Sequence, residues 1–473
     1  MIRFDMRGKA FIFWAAVIAG LVFAPAPRFS QVSAASVKLS PYLAVKYSVN
    51  DNIDSVDTSD IKDPAHASYM NYILGLGLSY VQGRHELNLS GRVGYQQYLV
   101  MEGRVEDEAD TSPEDYNFMR LRAAVAYHYR ARTVNFSLSN TITRNRDLQD
   151  VFNEGTDTLS YRYLYTHNLA KAALRFRPSG KSRLYLAYTY DTLFFTDPEN
   201  EWLDNFYSKP TDSVEHRGFL RSEYDFTGRT TGIVDLQVAD REFENVDDLR
   251  SANYTLYQGM LGLRYHFNSQ TSLTGLGGVA HREFRDLSRF TLPSPPYDPD
   301  TLAYDLSDTT EPVGMIILDH LSPGGLDLSL RGERGVSIYG RNLFYTHTSA
   351  HLLVKYPFTS QVGVRLSGRY QHAVFDADDN GRDWQWADDR VDQIIVGNAS
   401  LYYHILMKEG HPTLSVEGGY IYRSRDSSLE RASDYTDEYR TLTGLDDGVR
   451  SYDSVVQIYY VQVVFHPSIR LSR

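Results

Sequence analysis

Alternation of apolar and polar residues along short segments is the feature that most constrains this chain. In the stretch from Leu76 to Leu99, "LGLSYVQGRHELNLSGRVGYQQYL", leucine, valine and tyrosine take every second position in two runs separated by a few polar residues. A period of two predicts β-strands with one apolar and one polar face. About eighteen such segments follow one another along the 473 residues. The chain is therefore predicted to be all-β.

The connections between these segments alternate in length. Tight turns, such as those around Gly180, Gly228 and Asn268, alternate with long polar loops, many of which are acidic. This alternation is typical of transmembrane antiparallel up-and-down β-barrels, whose short turns face the periplasm and whose long loops are extracellular. We therefore predict a barrel of about eighteen strands in the outer membrane of a bacterium, formed as one domain by residues 36–473.

The first 35 residues have the pattern of a secretory signal peptide. A basic start, "MIRFDMRGK", precedes the apolar run "AFIFWAAVIAGLVFA", and "QVSAAS" then offers small residues for cleavage. A retained membrane anchor is the alternative, but the apolar run is short for a full span. No later segment has the apolar length of a spanning helix, so a mature chain in a membrane must be a closed barrel.

The apolar face could meet either lipid or a protein core. Its rows often end in aromatic residues, namely Tyr80, Tyr127, Phe176, Tyr224, Tyr265, Tyr356 and Phe465 at the turn side and Tyr47, Tyr95, Tyr190, Tyr370 and Tyr422 at the loop side. Such rings favour membrane interfaces, although cross-strand packing in a soluble sheet is the alternative. The opposite face carries charged residues such as Lys46, Arg92 and Glu417. Burying these unpaired in a soluble core would cost about several kcal/mol each, so we expect the apolar face to meet lipid.

A barrel of this size has a lumen wide enough for water. The pore-lining residues are predicted to include the basic residues Arg92, Arg120, Arg122, Lys171, Arg175, Arg221, Arg264, Arg365 and Arg369. The acidic residues on the same face are Asp191, Glu223, Asp225, Asp235, Asp327, Glu333 and Glu417. Two interpretations remain open. The cations lower the barrier to anionic solutes, or they form ion pairs that brace the wall without selectivity.

Composition and motifs exclude several other functions. The chain has no cysteine, which rules out disulfides and thiolate metal sites, and a net charge of −12, which argues against nucleic acid as a partner. "RPSGKS" imitates a phosphate-binding loop, but Arg175 stands where the first glycine belongs. No loop has calcium-ligand spacing, and the histidines are scattered singly, so we expect no metal, no cofactor and no enzyme. Trp384 and Trp386 could stack on sugar rings, or simply anchor a loop at the interface.

The segment "SPYLAVKYSVNDNI" after the signal peptide, with the strand "YILGLGLSY" that follows, resembles the β-barrel porin 2 family. The resemblance implies the outer-membrane exit channel of an exopolysaccharide export system. Its partners would be periplasmic or inner-membrane export components, with polysaccharide in the lumen and lipid and lipopolysaccharide around the barrel. A general diffusion porin for small, anionic solutes is the alternative, and a loop-blocked structural or enzymatic barrel is a third.

One departure from such barrels concerns the end of the chain. The last strand ends at Phe465, but "HPSIRLSR" follows it, whereas outer-membrane barrels usually end on the aromatic residue that the insertion machinery reads. We therefore expect a chain truncated after Phe465 to insert still.

Overall fold

The computed structural model describes most of the chain from residue 35 onwards. The described residues are 35–51, 66–102, 117–145, 164–196, 212–243, 253–285, 308–337, 345–375, 390–408, 411–428, 454–467 and 469–472. Residues 1–34 of the predicted signal peptide lie outside them, as do most residues of the acidic loops, Trp384 and Trp386 included. The signal peptide and the role of the two tryptophans therefore stay predictions.

Alternating sequence produces strands throughout the described chain. They are Ser36–Asn50 (β1), His66–Gln82 (β2), His85–Glu102 (β3), Phe118–Arg130 (β4), Val134–Asn145 (β5), Leu164–Phe176 (β6), Ser182–Thr196 (β7), Ser213–Asp225 (β8), Thr230–Phe243 (β9), Asn253–His266 (β10), Thr271–Arg285 (β11), Thr309–Leu321 (β12), Asp327–Ser337 (β13), Tyr345–Pro357 (β14), Val362–Phe375 (β15), Arg390–Lys408 (β16), His411–Ser427 (β17), Ser454–Phe465 (β18) and Ile469–Ser472 (β19).

These strands form one closed antiparallel sheet in chain order. Each strand from β1 to β17 pairs with the next, and β1 also pairs with β18, which closes the barrel. The short β19 pairs with Ser36–Leu39 of β1, beyond the end of β18, so the barrel has eighteen strand positions. The predicted fold class is confirmed.

Among the described residues, no helix is long and apolar enough to cross a membrane.

Large apolar side chains cover the outer face of the barrel. Leu74 and Leu261 are each 66% exposed, and Met119 is 63% exposed. In β2 the exposed Leu74 and Leu76 alternate with Gly75, which lies on the inner face. A soluble sheet would bury its apolar row, whereas a lipid-facing barrel exposes it on strand after strand. The outer row of this barrel therefore matches the expectation that it meets lipid.

Three tight turns share a Tyr-x-Phe arrangement that was not singled out in the sequence. The rings lie edge to face at centroid distances of 5.5, 5.1 and 5.3 Å in Tyr224–Phe226, Tyr265–Phe267 and Tyr356–Phe358. A threonine or asparagine follows each phenylalanine and closes the turn. For example, the Asn268 side-chain oxygen accepts hydrogen bonds from the N–H groups of Gln270 and Thr271, both at 2.8 Å. Each turn thus places two aromatic rings at the turn end of the barrel, where a membrane interface favours them.

Two segments close the barrel, the end of β18 and the short β19 that follows it, and both pair with β1. The Phe465 position pairs with Leu43, while β19 continues along the first residues of β1. The His466 N–H donates to the Thr413 carbonyl at 2.8 Å, and its ring packs on Tyr42 at 5.8 Å. Burial, followed by the charges of Arg92 and Lys38, lowers the pKa of the His466 imidazole. The residues after Phe465 therefore belong to the closure of the barrel.

Several strands are longer at their loop ends than the sequence predicts. The polar stretches that begin at Thr192, Arg282 and Arg423 predict loops from these residues onward, but β7, β11 and β17 continue by a few residues. The apolar alternation has stopped at these ends, and polar contacts hold the strands together there. In β17, Arg425 donates to Asp392 of β16 at 2.5 Å. The ladder therefore extends beyond the apolar row that predicted it.

Candidate functional site

All nine cations predicted to line the pore lie on the inner face of the barrel. They are carried by β3 (Arg92), β4 (Arg120, Arg122), β6 (Lys171, Arg175), β8 (Arg221), β10 (Arg264) and β15 (Arg365, Arg369). The residues next to them in sequence belong to the exposed apolar row, as Val93 and Leu121 do. Strand alternation therefore turns these cations toward the lumen. Three of them pair with carboxylates, five lie together on β3–β6, and Arg369 contacts a glutamine amide.

In the first group, each cation has a carboxylate partner. Arg221 lies directly opposite Asp235 in the register of β8 and β9, and its Nε and Nη2 donate to the two carboxylate oxygens at 2.7 and 2.6 Å. Arg264 reaches Glu223 at 3.3 Å. Arg365 reaches Glu417 at 3.0 Å across the intervening β16. The contacts of these three cations agree with the interpretation that lumen ion pairs brace the barrel wall.

The lumen carboxylates predicted from the sequence all have basic partners. The shortest distances are Asp191–His167 2.7 Å, Glu223–Arg183 2.8 Å, Asp225–Arg183 2.5 Å, Asp235–Arg221 2.6 Å, Asp327–Lys355 3.6 Å and Glu417–Arg365 3.0 Å, and Glu333 pairs with Arg331. His347 and His351 also lie 3.7 Å from Glu333. Six of these seven carboxylates therefore have an arginine or lysine partner, and Asp191 has a histidine.

The second group lies on the inner face of β3–β6, which we call the basic arc. It carries Arg92, Arg120, Arg122, Lys171 and Arg175. Arg92 and Arg122 are directly opposite each other in the register of β3 and β4, so cation faces cation. Within the described chain, Arg92, Arg122, Lys171 and Arg175 are exposed and form no ion pair. The basic arc therefore presents uncompensated positive charge to the lumen.

Arg120 and Arg369 have amide contacts. The Arg120 guanidinium donates to the Gln96 side chain, and Arg369 donates to the side chain of Gln371. An amide oxygen holds a guanidinium without cancelling its charge.

A cavity of about 730 Å³ opens beside the basic arc. Arg92, Arg120 and Arg122 line one side of it, and Asp191 and Glu215 lie on the other side with their basic partners. Ile73, Leu169, Leu193, Phe195 and Tyr165 add apolar surface. The cavity thus combines a cationic side, apolar surface and hydrogen-bonding groups. In the part of the chain that the structure describes, the cavity included, no three His, Asp or Glu side chains are arranged to hold a metal ion.

The closed sheet, the apolar outer row and the charged inner row together decide where the protein resides. A β-sheet satisfies its backbone hydrogen bonds in lipid only when it closes into a barrel, and only an aqueous lumen accommodates so many charged inner side chains. The chain is an outer-membrane β-barrel. Strands spaced about 4.8 Å apart and tilted by about 40° make an eighteen-stranded barrel about 35 Å across between Cα atoms. The localisation predicted from the sequence is confirmed.

Comparison with known proteins gives distant structural similarities. No protein-family model and no curated protein matches the chain. Among solved structures it is similar to Pseudomonas aeruginosa OpdK crystallised with vanillate, at 14% identity over 92% of this chain and 99% of that one, with a TM-score of 0.43. It is also similar to OprD of the same organism (10%, 93% and 100%, TM-score 0.40) and to Acinetobacter baumannii OccAB4 (11%, 93% and 99%, TM-score 0.43).

Sequence reasoning missed the aromatic residues of the inner face. Tyr42 and Tyr185 occupy the polar rows of β1 and β7 and contact cations of the basic arc. The signal was present, because a tyrosine on the row of lysine, serine and asparagine breaks the pattern that places aromatics outside. Gly75 was also overlooked, although a Cβ atom there would lie 2.8 Å from the Arg92 Cγ.

Proposed function

We propose that this barrel is a diffusion pore for small solutes that favours anions. The observation that carries the proposal is the basic arc, with four exposed cations that form no ion pair among the described residues. The acids predicted on the lumen wall are already matched by other basic groups. A passing anion therefore meets net positive charge on β3–β6, while the remaining pairs leave little charge to oppose it.

The cross-strand register explains why the charges divide in this way. Where a cation lies opposite an acid, as Arg221 lies opposite Asp235, the two neutralise each other. Where Arg92 lies opposite Arg122, the like charges repel, an arrangement that usually destabilises a sheet. Exposure of both side chains to lumen water reduces this cost, and a bound anion reduces it further. The basic arc therefore favours the presence of negative solutes.

The test is the reversal potential of the purified barrel in planar bilayers under a KCl gradient. The wild type is expected to prefer chloride, and Arg92→Gln with Arg122→Gln to lose much of that preference. A unit charge at about 4 Å in water contributes about 1 kcal/mol, or about fivefold in permeability ratio per cation. The control, Arg221→Gln with Asp235→Asn, removes a cation together with its acid and should leave the preference unchanged. Cation preference in the wild type would contradict the proposal.

The exit-channel interpretation rests on the family resemblance alone. Transport of an acidic polymer would use the same basic arc, so the two functions share their electrostatics and differ in the size of the solute. Vesicles that contain the barrel should release small anionic sugars but retain long acidic polysaccharide if the pore serves diffusion. Release of the polymer, together with loss of surface polysaccharide on deletion of the gene, would instead favour export.

A further inference from the structure

Three cations of the basic arc, Arg92, Lys171 and Arg175, lie near aromatic rings and form no ion pair within the described chain. The Arg92 guanidinium lies 4.4 Å from the ring centroid of Tyr42. Lys171 and Arg175 share the ring of Tyr185, at 5.9 and 5.4 Å. Both tyrosines lie on inner-face positions, in β1 and β7. These rings flank the arc on either side.

A ring and a carboxylate hold a cation with opposite effects on the net charge. A carboxylate fixes the side chain but cancels its charge, whereas the face of a ring attracts the cation and leaves the charge intact. Arg221 and Arg365 also lie near rings, but each has a carboxylate as well. Within the described wall, Arg92, Lys171 and Arg175 have rings and no carboxylate.

The contact between Arg92 and Tyr42 requires that the residue between them, Gly75, has no side chain. The two residues are on strands separated by β2, and both are in register with Gly75 of that strand. A Cβ atom at Gly75 would lie 2.8 Å from the Arg92 Cγ and 3.0 Å from the Gly91 carbonyl oxygen. Because glycine stands there, Arg92 lies across β2, on the side away from Arg122. The space at Gly75 therefore allows the Arg92 guanidinium to reach the Tyr42 ring.

We propose that Tyr42 and Tyr185 are positioning residues for anion selectivity, and that Gly75 provides the space in which Arg92 reaches Tyr42. The rings keep Arg92, Lys171 and Arg175 along the wall, extended into the water of the lumen without an opposing charge. The N–H edges of the guanidinium groups then remain available to carboxylate or phosphate groups of a passing solute. This inference rests on the proposed anion-selective pore for its functional consequence, but the side-chain positions are testable separately.

Variants of the rings give the first test. Tyr42→Phe keeps the ring and should keep the wild-type reversal potential, whereas Tyr42→Leu should lower the anion preference. Gly75→Ala should imitate Tyr42→Leu, because it displaces Arg92 while leaving the contact of Tyr42 with His466. Tyr185→Leu and Tyr185→Phe provide the same comparison for Lys171 and Arg175. Unchanged selectivity in Tyr42→Leu, Gly75→Ala and Tyr185→Leu, in a wild type that prefers anions, would overturn this inference and leave the proposed function intact.

Chemical modification gives a test that does not depend on conduction. In the Arg122→Gln background, phenylglyoxal modification of Arg92 is followed by mass spectrometry in the folded, detergent-solubilised barrel. Loss of the ring should speed modification about fivefold, the factor that corresponds to a cation–π contact of about 1 kcal/mol. Equal rates in Tyr42→Leu and Tyr42→Phe would show that the ring does not hold Arg92. A wild type without anion preference would instead refute the proposed function, whatever these rates are.

Discussion

The ion pair of the partly exposed Arg221 with the buried Asp235 allows a quantitative test of how the wall is braced. The Asp235 side chain is 3% exposed and the Arg221 side chain 30% exposed, with a two-point contact between them. Arg221→Gln leaves a buried carboxylate without its cation, and the cost expected for such a change is about 3 kcal/mol in free energy of unfolding. Asp235→Asn leaves an arginine that water and the Phe219 ring at 5.6 Å can reach. Its expected cost is smaller, about 1–2 kcal/mol.

The double variant distinguishes the pair from its separate members. With both charges removed, the cost should be about 1–2 kcal/mol, well below the combined cost of about 4–5 kcal/mol for the single changes, so the coupling energy is about 2–4 kcal/mol. Urea unfolding of the barrel in lipid vesicles, followed by gel mobility of the folded form, measures all four members of the cycle. Lys355→Gln is the matched control, because the Lys355–Asp327 pair is 3.6 Å long with both side chains nearly half exposed. Its expected cost is about 0.5 kcal/mol. A coupling below about 0.5 kcal/mol would refute the view that this pair braces the wall.

Two further predictions concern insertion into the membrane. A chain truncated after Phe465 should still insert, but it should unfold at lower temperature in a gel-shift assay because the pairing of β19 with β1 and the His466 contacts are lost; failure to insert would show that the terminal residues carry the assembly signal. Leu74→Arg, on the lipid face, should destabilise the barrel by about 2–4 kcal/mol in the same vesicle unfolding assay, whereas Ser90→Arg, on the lumen face, should have little effect. Equal costs at the two positions would contradict the assignment of the faces.

The strands and their faces were predictable because alternation is a local property. The alternation within each strand identifies its apolar and polar faces, and the structure places the cations of the polar rows on the inner face of the barrel. The strand ends were less predictable. Arg425 of β17 and Asp392 of β16 continue the ladder through a buried ion pair, after the apolar row has stopped. A sequence pattern that depends on apolar residues cannot locate such an end.

Pairing of charges was predictable only inside hairpins. A tight turn centred on Gly228 fixes Arg221 opposite Asp235, so this pair follows from the turn position. Arg92 and Arg122 belong to strands joined by a long loop, and the length of such a loop does not determine the register. The same limitation hid the contacts of Tyr42, which reaches Arg92 across a whole strand. The sequence therefore predicts two roles for a lumen arginine, a brace paired with an acid or a cation that favours anions, and does not assign either role to a particular residue.

This distinction governs how the charge of the chain relates to selectivity. The net charge of −12 arises partly from acidic connections such as those around residues 51–63 and 102–115. A solute inside the barrel interacts mainly with charges within about one Debye length, about 8 Å at physiological ionic strength, and these are the charges of the wall beside it. An acidic protein can therefore present a cationic path. The register that places Arg92 opposite Arg122, and Arg221 opposite Asp235, decides the preference more directly than the total charge does.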